Sequence, residues 1–266
     1  MLRLAPFLFV TLAAGPALAG ATPWQIIAPG VKARLISADV VTGGTAMAGL
    51  ELDLPRGTNI YWRIPGETGI PTEIDFAGSS GVGTPAVSWP YPEINREGGY
   101  LDYIYRGSIV LPIALRPSGD SATLVVKATM GVCSDMCVPV TASFSLPISF
   151  GKADPGQSIR LDQAQANVPI AWDQPGEPVR TVTATARGIE LDGLDHSIDP
   201  SSLIVDVGDP AILFETPQKS PDETVWTAKL LGGAAATGLE GRGIKLTFMT
   251  RSGPYFVARQ IAAPAN

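Results

Sequence analysis

Val31-Lys-Ala-Arg-Leu35 and Ala48-Gly-Leu-Glu-Leu-Asp-Leu54 alternate apolar with polar residues. This is the period-two pattern of antiparallel strands with one face in a core and the other toward solvent. Gly43-Gly44 lies between them as a hairpin turn, since tight hairpins need the positive φ angles that glycine accepts. Outward from this pair, further strand-like runs follow at Thr72 to Phe76, Ser108 to Leu115, Thr123 to Ala128 and Ala142 to Phe150. That count and rhythm predict a β-sandwich.

From Gly151 to Pro178 the pattern breaks into Asp154-Pro-Gly156, a short helix-compatible stretch near Ser158 to Ala166, and Gln174-Pro-Gly-Glu-Pro178. Such punctuation reads as a linker. Strand-like runs resume at Val179 to Ala186, Leu203 to Val207, Ala211 to Glu215, Thr224 to Leu231, Gly243 to Thr250 and Tyr255 to Ile261. The expectation is an all-β chain, with one sandwich over residues 20–150, a linker over 151–178 and a second, smaller β-sandwich over 179–266. The 29 glycines and 24 prolines suit many short strands better than helices.

The first residues have a different character. Arg3 precedes an apolar run from Leu4 to Leu12, and Ala17-Leu-Ala19 has the small-x-small pattern that a signal peptidase accepts. Residues 1–19 therefore read as a cleaved signal peptide, because Gly15 and Pro16 end the apolar run short of the ~20 residues a membrane span requires. No later segment is apolar enough to span a bilayer. The net charge of −6, spread without long runs, argues against nucleic-acid or anionic-membrane surfaces.

Cys133 and Cys137 are the only cysteines. In an oxidising compartment they would form a disulfide, pass one on, or hold a soft metal. A loop this short gives a crosslink worth only about 2 kcal/mol in the chain-entropy model, a small gain for a chain long enough to bury a real core. Exchange instead needs one thiolate to attack a partner disulfide and a second thiol near enough to resolve the mixed disulfide. Spacing alone leaves the structural and redox readings level.

The surroundings carry a resemblance. Ala122-Thr-Leu-Val-Val-Lys-Ala-Thr-Met-Gly-Val-Cys-Ser-Asp-Met-Cys-Val-Pro139, preceded by Ile104-Tyr-Arg-Gly-Ser-Ile-Val-Leu-Pro-Ile113, resembles the N-terminal periplasmic domain of the thiol:disulfide interchange protein DsbD. Tyr61-Trp-Arg-Ile-Pro-Gly-Glu-Thr-Gly-Ile-Pro71 and Trp89-Pro-Tyr-Pro92 are similar to segments of the branch that includes the suppressor-of-copper-sensitivity protein ScsB. The resemblance implies an immunoglobulin-like sandwich in the periplasm whose Cys133 and Cys137 relay electrons, as a component of protein-disulfide reduction. In DsbD itself the two cysteines lie further apart, so the shorter spacing here leaves the attacking thiol open between Cys133 and Cys137, with Cys137 favoured. It also implies a cap loop over the sulfurs, matched here by Pro92 to Tyr100, with Ile94 or Tyr100 as cover and Glu93 as a nearby carboxylate. DsbD and ScsB carry a membrane electron-transfer domain and a thioredoxin-like domain that this chain lacks. The implied partners are therefore a separate periplasmic thioredoxin-like protein or a DsbD-like membrane reductase, together with client disulfide proteins such as those of cytochrome c biogenesis.

A different chemistry uses the same stretch. Cys133, Cys137, Met130 and Met136 place two thiolates and two thioethers within eight residues, and soft sulfur ligands select copper(I). This is the alternative of a copper-tolerance module; Met as core filler is the bland reading. His196, the only histidine, reads as a turn residue, with no nucleophile elbow to make a hydrolase. Asp192, Asp195, Asp206 and Asp209 read as solvated turn carboxylates. Trp62, Trp89, Tyr91, Tyr103 and Tyr105 read as sheet packing, with ligand binding by exposed aromatics as the alternative.

Overall fold

The computed structural model describes residues 20–220, 225–233 and 238–264. The signal-peptide reading falls on residues 1–19, outside the described residues. The first half contains β1 (Gln25–Ala28), β2 (Val31–Thr42), β3 (Thr45–Asp53), β4 (Asn59–Gly66), β5 (Glu73–Asp75) and β6 (Ala86–Val87). It continues with β7 (Glu93–Asn95), β8 (Asp102–Arg106), β9 (Ser108–Leu115), β10 (Ser121–Cys133) and β11 (Cys137–Ser149). These build two sheets, one in the order β1-β2-β3-β9-β6 and one in the order β11-β10-β4-β8-β7, with β5 paired to β10. Between them lies a core that includes Leu35, Leu50 and Leu111 from one sheet and Trp62, Leu124 and Phe144 from the other.

The alternation that opens β2 holds through Leu35 and then stops, because both faces beyond it are covered. Val31, Ala33 and Leu35 face the sandwich core, whereas Ile36 and Ala38 pack on the opposite face against Leu161. Leu161 belongs to α1 (Pro155–Gln165), so the segment read as a linker carries a helix that lies on the first sheet. Asp154 caps it by accepting from the N–H groups of Gly156 and Gln157, and Pro155 opens the first turn. Gly49 of β3 allows this approach, since a Cβ there would stand 2.9 Å from Leu161 Cδ2. Glu51, on the face the pattern assigns to water, is buried under the helix, where Arg34 at 2.6 Å and Arg160 neutralise it.

The second half holds β12 (Ile170–Ala171), β13 (Thr181–Thr185), β14 (Gly188–Asp192), β15 (Ile204–Asp206), β16 (Gln218–Lys219), β17 (Val225–Lys229), β18 (Gly243–Thr250) and β19 (Gly253–Ala262). They join in the order β15-β18-β19-β13-β14-β17-β16, with β12 beside β19. The long β19 pairs with β18 along its length and, at its end, with β13 through Val182 and Ile261. These strands bury their apolar faces in one core around Phe248, Leu246, Ile189 and Leu191. The expected strand at Ala211 to Glu215 supplies only an isolated bridge, from Phe214 to Leu230. The halves meet where Arg63 stacks over Trp62 and reaches Asp206 at 2.7 Å, and where Ile204 enters the first core.

One polar residue is poorly accommodated. Asp39 sits in a left-handed conformation (φ 55°) where β2 loses register with β3, and its Oδ1 is buried without a hydrogen-bond partner among the described residues. Burial pushes its carboxyl above the ordinary 3.8; a hydrogen bond with Ser37 opposes this and the Asp154 charge adds to it. A folded-state value above the unfolded one means that ionisation opposes folding, in full above the folded pKa and not at all below the unfolded one. Asp39→Asn, which tolerates the same backbone conformation, is therefore expected to raise Tm at pH 7. Thermal melts across pH should show that gain vanishing as the pH falls below 3.8.

Candidate functional site

Cys133 ends β10 and Cys137 begins β11, so the two close the hairpin as directly opposed residues. They form a disulfide at its tip, with Ser134 N–H donating to the carbonyl of Met136 at 3.2 Å. The sulfurs are unequally placed. Cys133 is 4% exposed and packs with Tyr61 and Ile104, whereas Cys137 is exposed between Met136 and Val138, which are 76% and 50% exposed.

Strand parity sets the faces. Along β10, Leu124, Val126, Ala128 and Met130 point into the sandwich, which puts Thr129, Gly131 and Cys133 on the outer face. The outer positions are exposed or half-buried up to Thr129, then buried at Gly131 and Cys133. A segment lies over the sheet at that point.

The covering segment is Glu67 to Pro71, which follows a wide bulge in β4: Tyr61 opposes Ile104, and the next paired residue, Gly66, opposes Asp102. Gly66 has φ 97° and lies so close to β8 that a Cβ would stand 2.3 Å from the Leu101 carbonyl oxygen. Four hydrogen bonds then anchor the segment. Glu67 N–H donates to Leu101 O at 2.9 Å, and Leu101 N–H to Glu67 Oε2 at 2.6 Å. Thr68 donates its N–H to Asp102 Oδ1 at 2.9 Å and its hydroxyl to Asp102 Oδ2 at 2.6 Å. Gly69 rests on the Tyr61 ring and Ile70 on Gly131. The Tyr61 hydroxyl lies 3.6 Å from Cys137 Sγ and 3.5 Å from Thr68 Oγ1.

Several expected site residues are elsewhere. Glu93 and Ile94 lie on β7, three strands from β10, which at ~4.8 Å per strand is about 14 Å. Glu93 and Glu97 are both engaged by Arg106, Ile94 packs against the main core, and Tyr100 is 53% exposed. The cover over Cys133 is thus Tyr61, Ile104 and the 67–71 segment rather than residues 92–100. The four sulfurs of the copper set do not converge either: Met130 is fully buried on the core face of β10, and Met136 projects from the tip. Among the described residues no three His, Cys, Asp or Glu side chains cluster as metal ligands. His196 is exposed in a turn, Asp192 pairs with Arg180, and Asp195 and Asp209 accept from nearby backbone N–H groups. Trp62, Tyr103 and Tyr105 are core residues, with Trp62 and Tyr103 edge to face at 5.9 Å.

Tyr61, Thr68 and Asp102 have no place in the sequence-based site. The stretch Tyr61 to Pro71 stands out in the sequence, but its closeness to Cys137 depends on the register of three strands.

Residues 28–149 match the family model described as the N-terminal part of the thiol:disulfide interchange protein DsbD. Among solved structures, the chain is similar to the N-terminal periplasmic domain of ScsB from Proteus mirabilis, with a TM-score of 0.69 and 21% identity over 92% of this chain and 99% of that one. At that identity the likeness is one of fold, and it extends through both halves. No curated protein matches the sequence.

Proposed function

We propose, because residues 28–149 match the family model of the DsbD N-terminal domain, that this chain is a periplasmic thiol–disulfide exchange protein relaying electrons through Cys133 and Cys137. The observation that carries the reading is the pairing of an exposed sulfur with a buried one at a hairpin tip. In the reduced form the Cys137 thiolate attacks a client disulfide. One client sulfur leaves as a thiolate and takes a proton, and the other is held in a mixed disulfide. The Cys133 thiolate then attacks Cys137 Sγ, the mixed disulfide breaks, the second client thiol departs, and the Cys133–Cys137 bond closes with two electrons transferred. A dithiol partner restores the reduced pair by the reverse route, again entering at the accessible Cys137. That partner is a thioredoxin-like protein or a DsbD-like membrane reductase. No described helix is long and apolar enough to cross a membrane.

The test is the reduction potential of the pair, measured by thiol trapping in defined redox buffers without metal. A value between about −120 and −270 mV, the span of dedicated exchange proteins, is expected; one below about −300 mV would mark a structural crosslink and overturn the relay.

A further inference from the structure

The hydroxyl of Tyr61 points at the accessible sulfur from beneath a covering loop. Tyr61 is 4% exposed, and its ring is fixed between the sheet and Gly69. A disulfide sulfur carries no proton, so in the 3.6 Å contact with Cys137 Sγ the phenol is the donor. The second neighbour of that hydroxyl is Thr68 Oγ1 at 3.5 Å. Thr68 spends its own proton on Asp102 at 2.6 Å, which leaves its oxygen only able to accept from the phenol. Tyr61 therefore has one proton and two acceptors, the sulfur and the threonine oxygen.

Resting on the exchange reading above, we infer that Tyr61 is a catalytic hydrogen-bond donor that stabilises the Cys137 thiolate, with Thr68 as the alternative acceptor of its proton and Asp102 as the residue that orients Thr68. In the thiolate state the phenol donates to sulfur. In the thiol state Cys137 S–H turns to the phenol oxygen and the phenol proton turns to Thr68. Asp102 keeps the threonine hydroxyl oriented as an acceptor, and its second oxygen holds the Thr68 backbone. The buried phenol thus keeps an acceptor in both states. Donation to a charged acceptor is the stronger bond, so the arrangement favours the nucleophilic form.

The other ionisable groups on this face belong to every neighbouring element. Asp135 lies in the hairpin tip itself. Glu67 is engaged by Leu101 N–H, and Glu73 of β5 lies opposite Thr129. Arg106 of β8 is in the row of Asn59 and Cys133 but is held by Glu93 and Glu97. Lys127 and Asp75 face each other further along β10. Asp102, by contrast, connects to Cys137 through a hydrogen-bonded chain of side chains, by way of Thr68 and Tyr61.

The experiment uses the Cys133→Ser chain, in which Cys137 is the single thiol, and follows its alkylation by iodoacetamide against pH. The Cys137 thiolate displaces iodide, so the profile reads thiolate fraction directly. Adding Tyr61→Phe should move the midpoint up by about one pH unit and slow alkylation about threefold at pH 7, the loss of thiolate being partly offset by its greater nucleophilicity. The plateau at high pH, where the thiol is fully ionised, should rise by up to about threefold, because a thiolate freed of the hydrogen bond is the stronger nucleophile. Adding Thr68→Val instead removes the acceptor used in the thiol state and should move the midpoint down. A Tyr61→Phe profile superposing on its parent, or a Thr68→Val profile shifted upward, would overturn the assignment; if Tyr61→Phe fails to fold, the sign of the Thr68→Val shift decides. Iodoacetamide requires no client. A shifted profile in a chain that relays nothing would overturn the exchange reading alone, and an unshifted profile in a chain that relays would overturn this one alone.

Discussion

Cys133→Ser protein incubated with oxidised glutathione is expected to accumulate a mixed disulfide on Cys137, whereas Cys137→Ser protein under the same conditions accumulates little. Attack on a disulfide requires three sulfurs nearly in line, with room for the leaving group. Cys137 is exposed at the hairpin tip, so a partner can reach it along such a line. Cys133 is 4% exposed beneath Tyr61 and Ile104, a position suited to attack Cys137 Sγ from within the protein and to little else. In the Cys133→Ser chain the resolving step is lost and the adduct persists. In the Cys137→Ser chain the first step is lost. Mass spectrometry of the trapped species should give at least about a tenfold excess of adduct on the Cys133→Ser chain, a factor set by access to the sulfur. The double variant should be inert in full exchange assays. Equal trapping on the two single variants would remove exposure as the basis for assigning roles.

The asymmetry is only partly legible in the sequence. Val31 to Leu35 announces a sheet face because one side of β2 is open there; from Ile36 onward α1 covers the second side and the period disappears. Glu51 reads as solvent-facing for the same reason, although Arg34 and Arg160 neutralise it beneath that helix. The cysteines stand out by scarcity and neighbours, which is why the pair is readable as a site. Its surroundings depend on β10 lying beside β4 and β4 beside β8, strands distant in sequence. A strand ending at Ala128 also hides a parity argument: once β10 extends to Cys133, odd spacing alone sends Met130 to the core and Cys133 to the outer face. The resemblance implies a cap loop at 92–100, whereas the bulge in β4 sends 67–71 over the cysteine face.

That placement gives the covering segment a decisive position at Gly69. A Cβ added there would stand 2.1, 2.3 and 2.6 Å from Tyr61 Cδ1, Cε1 and Cγ, well inside van der Waals contact. The ring cannot withdraw, because Tyr61 is 4% exposed and bounded by Ile104 and Cys133. Gly69→Ala must therefore lift the segment, at a cost of about 1–3 kcal/mol for overpacking. Lifting it breaks the approach of Thr68 to the phenol and uncovers Cys133, so Tm should fall and a small dithiol should reduce the Cys133–Cys137 bond several-fold faster. Gly119→Ala is the matched control, since no atom lies within 4 Å of the added carbon; it should change neither quantity. If Gly69→Ala lowers Tm but leaves the rate of reduction unchanged, the 67–71 segment stabilises the sandwich without shielding the sulfurs, and access to the pair is governed by the hairpin tip alone.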